Sequence, residues 1–400
     1  MIPAIMPTYQ RTDIAFERGE GPYLYSTDGR RFLDFASGIA VTSLGHSHPA
    51  LIKALNEQAN KLWHCSNIFT IPGQQAMAER LVRDTFADTV FFGNSGSEAV
   101  ELGIKMIRKY QHVSGSPEKT TIVCMNGAFH GRTIATIFAA GQKKLIDGFG
   151  PALPGFKHVS YANMNELRDA VVGDSTVGGI LFEPIQGEGG YRSAPPEFLD
   201  DVRKLADEYG LLVMLDEVQC GNGRTGKLFA HEFSNMTPDI MATAKGMGGG
   251  FPVGACLATA EASKGMVAGT HGSTYGGNPL AMAVASAVWD ELTKLGFLEN
   301  VRFQGQAFHE GLERLVKAYP EVYVESRGVG LMAGIRLADH LETRQVVDFV
   351  RERGLLTVAA GENVVRMVPP LIITRAEVDE ALIFLQDAAE EMKSKGRNSA

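Results

Sequence analysis

Two side chains near the middle of the sequence stand where covalent chemistry could be done. The apolar run Leu211-Leu212-Val213-Met214-Leu215 breaks into Asp216-Glu217, and a shorter run, Ile240-Met241-Ala242, leads to Lys245 and the glycines Gly246, Gly248, Gly249 and Gly250. An apolar run ending in carboxylates predicts a buried parallel strand that delivers charge at its C-terminal end. Ligands of open α/β sheets bind at that edge. A lysine offered the same way, with glycines leaving room for a ligand, is a candidate for Schiff-base chemistry. Strand side chains alternate in direction, so the acid pair reads as one acid facing the site. That buried carboxylate then needs a cationic partner. A metal pair is not indicated, because no histidine lies at ligand spacing on the same element.

Further candidates lie where other strands should end. A short strand closing at Phe92 runs into Gly93-Asn94-Ser95-Gly96-Ser97 and an amphipathic helix from about Glu98. Small residues at a helix N-terminus suit either an ordinary serine cap or an anion site, since N–H groups and dipole face the ligand. Ala128-Phe129-His130-Gly131-Arg132-Thr133 follows a strand at Thr121–Met125, and Glu183 to Tyr191 (EPIQGEGGY) follows one at Gly179–Phe182. An aromatic ring, an arginine and two acids therefore converge on the edge that carries Asp216. Gly221-x-Gly223-x-x-Gly226 matches the dinucleotide fingerprint in form only. That fingerprint opens a helix directly after a strand and has an acid about twenty residues on. Here Asp216 to Gln219 intervene, Pro238 interrupts, and the later position is Lys245.

These residues need a scaffold. Strands alternating with helices predict an α/β fold with a mostly parallel, doubly wound sheet. Asp28-Gly29 predicts a hairpin, Pro49 opens a helix, and from Pro279 helices and strands near 322–326, 331–337, 355–357 and 364–367 make a smaller α+β unit, closed by a helix from Arg375. With 400 residues the chain exceeds one ordinary core. The expected division is 1–55, an N-terminal segment packing with the small domain, 56–287, the large domain, and 288–400, the small domain. The composition, 44% apolar and 21% charged, is that of a soluble globular protein. A net charge of −8 argues against nucleic acid or an acidic membrane as partner. The four cysteines show no paired spacing, which fits reduced thiols and a cytoplasmic location. The start of the chain lacks a signal-peptide pattern, and the apolar part of Gly269–Trp289 is too short to span a bilayer.

Taken together, GIAVTSLGHSHP, NSGSEAVE, AFHGRT, EPIQGEGG, LDEVQCGNGRTG, AKGMGGGFPVGA, HGSTYGGNPLA and VVRMVPPLIIT make the chain resemble the class III, fold type I pyridoxal-phosphate aminotransferases over nearly its whole length. GGGFP after Lys245 brings it nearest the acetylornithine branch. It departs from the common pattern at Thr42, where asparagine is usual, and at Ser97, which keeps a hydroxyl. The resemblance implies pyridoxal 5′-phosphate as cofactor, with Lys245 carrying it and shuttling a proton, and Asp216 pairing with its ring nitrogen. Phe129 and Val218 would cover the ring faces, Gln219 would reach the ring oxygen, and Ser95, Gly96 and Ser97 would bind the phosphate. Ser273 and Thr274 would reach the neighbouring subunit of a homodimer. Arg132 and Arg366 would bind substrate carboxylates, with Glu188 as removable counter-ion to Arg366. The implied reaction moves the δ-amino group of N2-acetyl-L-ornithine to 2-oxoglutarate, giving N-acetyl-L-glutamate 5-semialdehyde and L-glutamate, a step of arginine biosynthesis. N-succinyldiaminopimelate, succinylornithine, ornithine and 4-aminobutyrate are alternative donors. An aminomutase or decarboxylase would need no 2-oxoglutarate, and a non-catalytic anion-binding protein would stay colourless with the cofactor.

Overall fold

The computed structural model describes residues 3–398. The chain begins with an antiparallel ribbon, β1 (Phe16–Glu20), β2 (Tyr23–Ser26) and β3 (Arg31–Asp34). Asp28-Gly29 forms the turn between β2 and β3, with Gly29 at φ 86° and the Ser26 N–H bonded to the Arg30 carbonyl at 2.9 Å. Positive φ at that corner is what glycine supplies without steric cost.

A seven-stranded sheet follows, made of β4 (Thr89–Gly93), β5 (Thr121–Met125), β6 (Phe156–Val159), β7 (Val177–Phe182), β8 (Leu212–Asp216), β9 (Ile240–Thr243) and β10 (Gly254–Ala258). Its spatial order is β4-β10-β9-β8-β7-β5-β6. The run from β9 to β6 is parallel throughout, and β10 alone runs against its neighbours β9 and β4. Strands β5, β7, β8, β9 and β10 are buried along their whole length. Helices cover both faces of such a sheet, which is why these strands read as continuous apolar runs. Two strands of this sheet escaped the sequence reading for physical reasons. β6 (FKHV) is a half-exposed edge strand with little apolar signal, and β10 (GACLA) is built of small residues without β-branching.

The remaining strands are β11 (Tyr323–Val329), β12 (Met332–Leu337), β13 (Leu355–Leu356), β14 (Val358–Ala360) and β15 (Val364–Met367). The sheet β11-β12-β15-β14 is antiparallel. The strand expected at 355–357 is β13, which ends at Leu356 and is followed by a second strand, β14. β13 pairs in parallel with β3, and β14, one residue later, pairs with β15. Among the described residues no helix is long and apolar enough to cross a membrane, and no side-chain cluster could hold a metal.

The helix expected from about Glu98 begins at Gly96 and continues to Val113. It lies so close to the sheet that a Cβ at Gly103 would stand 2.3 Å from the Met214 sulfur on β8. The helix Pro196–Tyr209 ends at Gly210, whose φ of 63° turns the chain into β8. The C-terminal unit meets the GNGRTG loop backbone to backbone. A Cβ at Gly305, on the helix Phe297–Ala318, would lie 2.7 Å from the Gly330 Cα, and one at Gly330 would lie 2.7 Å from the Thr225 carbonyl carbon. The Leu331 N–H bonds the Arg224 carbonyl at 3.0 Å. Backbone cannot yield as a side chain does, so Gly305→Ala is expected to destabilise the fold by ~1–3 kcal/mol, read as a lower thermal unfolding midpoint.

Candidate active site

The acid pair that ends β8 divides as strand geometry demands. Asp216 is buried, with Oδ2 2.8 Å from His130 Nδ1 and Oδ1 accepting the Val218 N–H at 3.0 Å. Glu217 points the other way, accepting the backbone N–H groups of Ala230 (2.6 Å) and His231 (2.8 Å) and meeting His231 Nδ1 at 2.8 Å. It therefore caps the short turn Ala230–Phe233 and leaves the site to Asp216.

Two neighbours of Asp216 were given no role of their own from the sequence, though Glu183 was counted among the acids at that edge. Burial lowers the basicity of His130, but the hydrogen bond and charge of Asp216 and the charge of Glu183 outweigh it and raise the imidazole's pKa. Its Nε2 is buried with no partner. Glu183 follows β7 as Asp216 ends β8, and accepts the N–H groups of Phe129 and Gly187, each at 2.9 Å. Burial and the charge of Asp216 push its pKa up, against His130 and those backbone donors. The signal for Glu183 was the one that revealed Asp216, an apolar run closing on an acid. His130 sat inside AFHGRT, between two residues that were chosen.

Lys245 starts a short turn to Met247 with φ 44°, a left-handed conformation unusual outside glycine. The surroundings hold it there. Asn222 donates to Thr243 Oγ1 (2.8 Å) and to the Ala244 carbonyl (3.1 Å), and Ser43 donates to the Gly246 carbonyl (2.8 Å). Burial, helped by the Arg366 charge, pulls the Lys245 ammonium down to about 8, against the attraction of Asp216, Glu188 and Glu183. Lys245 and Asp216 line one cavity of about 380 Å³, together with Ser95, Gly96, Ser97, Phe129, Arg132, Val218 and Gln219.

The helix Gly96–Val113 points its N-terminus into this cavity. Ser95 is its cap, accepting the Glu98 N–H at 3.3 Å, so the ordinary capping role is real. The N–H groups of the first turn still lack intrahelical acceptors and face an anion favourably. Gly96 is required for the shape, because a Cβ there would come within 2.7 Å of Val218 Cγ1. Ser97 Oγ accepts the Arg132 N–H at 3.1 Å and so ties AFHGRT to this helix end. The Arg132 side chain is exposed, its guanidinium 5.4 Å from the Phe129 ring centroid. Arg366, on β15, is buried and pairs with Glu188 at 2.6 Å. Ser273 accepts from Asn94 Nδ2 (3.3 Å) outside the cavity, and Thr274 stands exposed away from it.

Residues 5–389 match the family model for class III aminotransferases. The chain belongs to that family. It is 54% identical over 385 residues to an acetylornithine aminotransferase of Brucella melitensis, covering 96% of this chain and 94% of that one. It is 50% identical over 395 residues to an acetylornithine aminotransferase of Rhodobacter capsulatus, covering 99% and 100%. Among solved structures it superposes on the N-acetylornithine aminotransferase of Stenotrophomonas maltophilia with a TM-score of 0.85 at 38% identity, covering 97% and 98% of the two chains. An ornithine aminotransferase of Toxoplasma gondii, described with pyridoxal phosphate at its active site, gives 0.93 at 29% identity, covering 98% and 93%.

Class III aminotransferases are pyridoxal-phosphate enzymes, and the cavity fits that cofactor. A buried carboxylate at one end, a desolvated lysine, and a helix N-terminus whose glycine gives way only to Val218 are what a cationic ring nitrogen, an aldehyde and a phosphate call for. In protein stripped of cofactor, covalent capture of added pyridoxal phosphate should quicken as pH rises through about 8, where Lys245 loses its proton. Visible absorbance after mixing follows it, and Lys245→Ala should give no borohydride-trappable adduct.

Proposed function

We propose that this chain is an acetylornithine aminotransferase, moving the δ-amino group of N2-acetyl-L-ornithine to 2-oxoglutarate and releasing N-acetyl-L-glutamate 5-semialdehyde and L-glutamate. The observation that carries the reading is the contrast between two arginines. Arg132 is exposed and has no carboxylate ion pair among the described residues, whereas Arg366 is buried and held by Glu188 at 2.6 Å. A single pocket that takes two substrates in turn needs one arginine always ready and a second that is shielded until a dicarboxylate arrives. An unpaired buried guanidinium is costly, so a counter-ion that swings aside suits the task. The high identity to relatives of that name supports the choice of donor.

When bound, the cofactor supplies an electron sink that lets a C–H bond beside the transferred nitrogen break as a proton. Lys245 would carry the cofactor and, once displaced by the incoming amine, its Nζ, with a pKa lowered to about 8 by burial, would take and return that proton. Asp216 would keep the proton on the ring nitrogen, and His130, hydrogen-bonded to Asp216, holds that carboxylate in place. Of the residues lining the cavity, Phe129 and Val218 would confine the ring, Gln219 would offer its amide to the ring oxygen, and Ser95, Gly96 and Ser97 would hold the phosphate. Arg132 orients the donor's α-carboxylate with a planar fork that suits two oxygens at once.

The same reading assigns Ser273 and Thr274 to a homodimer, contacting the partner's phosphate or substrate. Trp63, Ile68, Phe69 and Tyr275 are 65%, 82%, 63% and 63% exposed. Asn67 fastens their loops together through the carbonyls of Ser273 and Gly276, each at 2.9 Å. An apolar patch of that kind is a surface for association.

Glutamate formation with 2-oxoglutarate should be fastest with acetylornithine; faster turnover of ornithine, 4-aminobutyrate or N-succinyldiaminopimelate would overturn the choice of donor. Arg366→Ala should weaken saturation by 2-oxoglutarate roughly 100-fold while sparing the acetylornithine half-reaction. Glu188→Ala should do the reverse, slowing the donor half-reaction and tightening 2-oxoglutarate. Single-turnover absorbance changes separate the two halves.

A further inference from the structure

Tyr191 is the residue of EPIQGEGGY that the roles above leave unused, and the structure treats it unusually. It is 1% exposed, and it holds φ 56° directly after Gly190 at φ 85°. Two left-handed residues in succession, one of them aromatic, are strained. The strain is held by the ends of the turn. The Gln186 N–H bonds the Arg192 carbonyl (2.9 Å), and the Tyr191 N–H bonds the Gln186 carbonyl (3.1 Å). The conformation drives the ring inward over β12, where a Cβ at Gly334 would lie 3.2 Å from Tyr191 Cδ2. Gly334 is the β12 residue paired with Arg366.

The phenol is buried between partners that fix its proton. Burial raises the phenol's pKa, and the charges of Arg366 and Arg224 bear on it from nearby. Guanidinium groups only donate, so neither can accept the phenol's proton. The hydroxyl proton is left for Gln219 Oε1, at 3.1 Å. An amide whose oxygen is taken in this way can present only its NH₂ to the cavity that Gln219 lines. Glu188, the counter-ion of Arg366, lies three residues earlier on the same turn.

We propose that Tyr191 is a positioning residue that couples the exchange of carboxylates at Arg366 to the cofactor, by holding the Gln219 amide with its NH₂ toward the cofactor's ring oxygen. This rests on the reading of the site given above. When a substrate carboxylate replaces Glu188, Arg366 shifts its donors and the phenol shifts with it. The grip of Gln219 on the ring oxygen then changes between the two half-reactions.

The test is the pH titration of the visible absorption of the holoenzyme, which needs no turnover. A donor on the ring oxygen draws charge off an atom that otherwise helps hold the neighbouring proton. Tyr191→Phe should therefore raise the midpoint by about half to one unit, the size of one hydrogen bond. Gln219→Leu should raise it at least as much, and the double variant no further than Gln219→Leu alone. In the unsubstituted enzyme, saturating glutarate, a dicarboxylate that cannot react, should move the midpoint, and Tyr191→Phe should lose that response. An unmoved midpoint in Tyr191→Phe, additive effects in the double variant, or an undiminished glutarate response in Tyr191→Phe would each overturn the proposal. Wrong donor preference would leave these titrations intact, so failure of the substrate assignment is seen separately, in the donor rates.

Discussion

The site depends on keeping a negative charge at the buried end of β8. A carboxylate removed from water must find compensation, and Asp216 receives part of it from His130 and from the Val218 N–H. The proposed pyridinium supplies the rest. Everything nearby is consistent with defending that charge. Glu183, close enough to repel it, has its own oxygens occupied by two backbone N–H groups and a raised pKa. Glu217, the adjacent acid, is turned away and satisfied elsewhere. Lys245 is desolvated, and burial pulls its pKa down to about 8 against the attraction of Asp216.

The parallel sheet makes this arrangement possible. β4, β5, β7, β8 and β9 run in one direction, so their last residues and the following loops share an edge. From that edge come the helix N-terminus at Gly96, the ring of Phe129, Glu183, Asp216 and Lys245. The second, antiparallel sheet contributes differently. It brings Arg366 in from the side on β15, and the Glu188–Tyr191 turn of the large sheet docks on it, with the Gly361 N–H on the Glu188 carbonyl at 2.9 Å.

Much of this could be read from the residues alone, where one physical pattern sufficed. Continuous apolar runs located β5, β7, β8 and β9, and the acid and lysine beyond them both line the cavity. Strand alternation forecast the division of labour between Asp216 and Glu217. What the sequence hid were features defined by non-local packing. β10 has too little side chain to announce itself. His130 and Tyr191 owe their importance to partners 86 and 28 residues away. The pairing of Arg366 with Glu188 spans 178 residues and was accessible only through the family resemblance.

The division of 355–360 between two sheets has a consequence for anyone who alters the first strands of the protein. Leu356 is laddered to Asp34 on β3, and Val358, two residues on, is laddered to Arg366 on β15. Asp34 in turn fastens the N–H groups of Ala36 (3.0 Å) and Ser37 (2.8 Å) ahead of Val41, which lines the cavity. A tag, graft or deletion that frays β3 is thus mechanically an edit to the proposed acceptor pocket. It reaches Arg366 through two rungs of backbone.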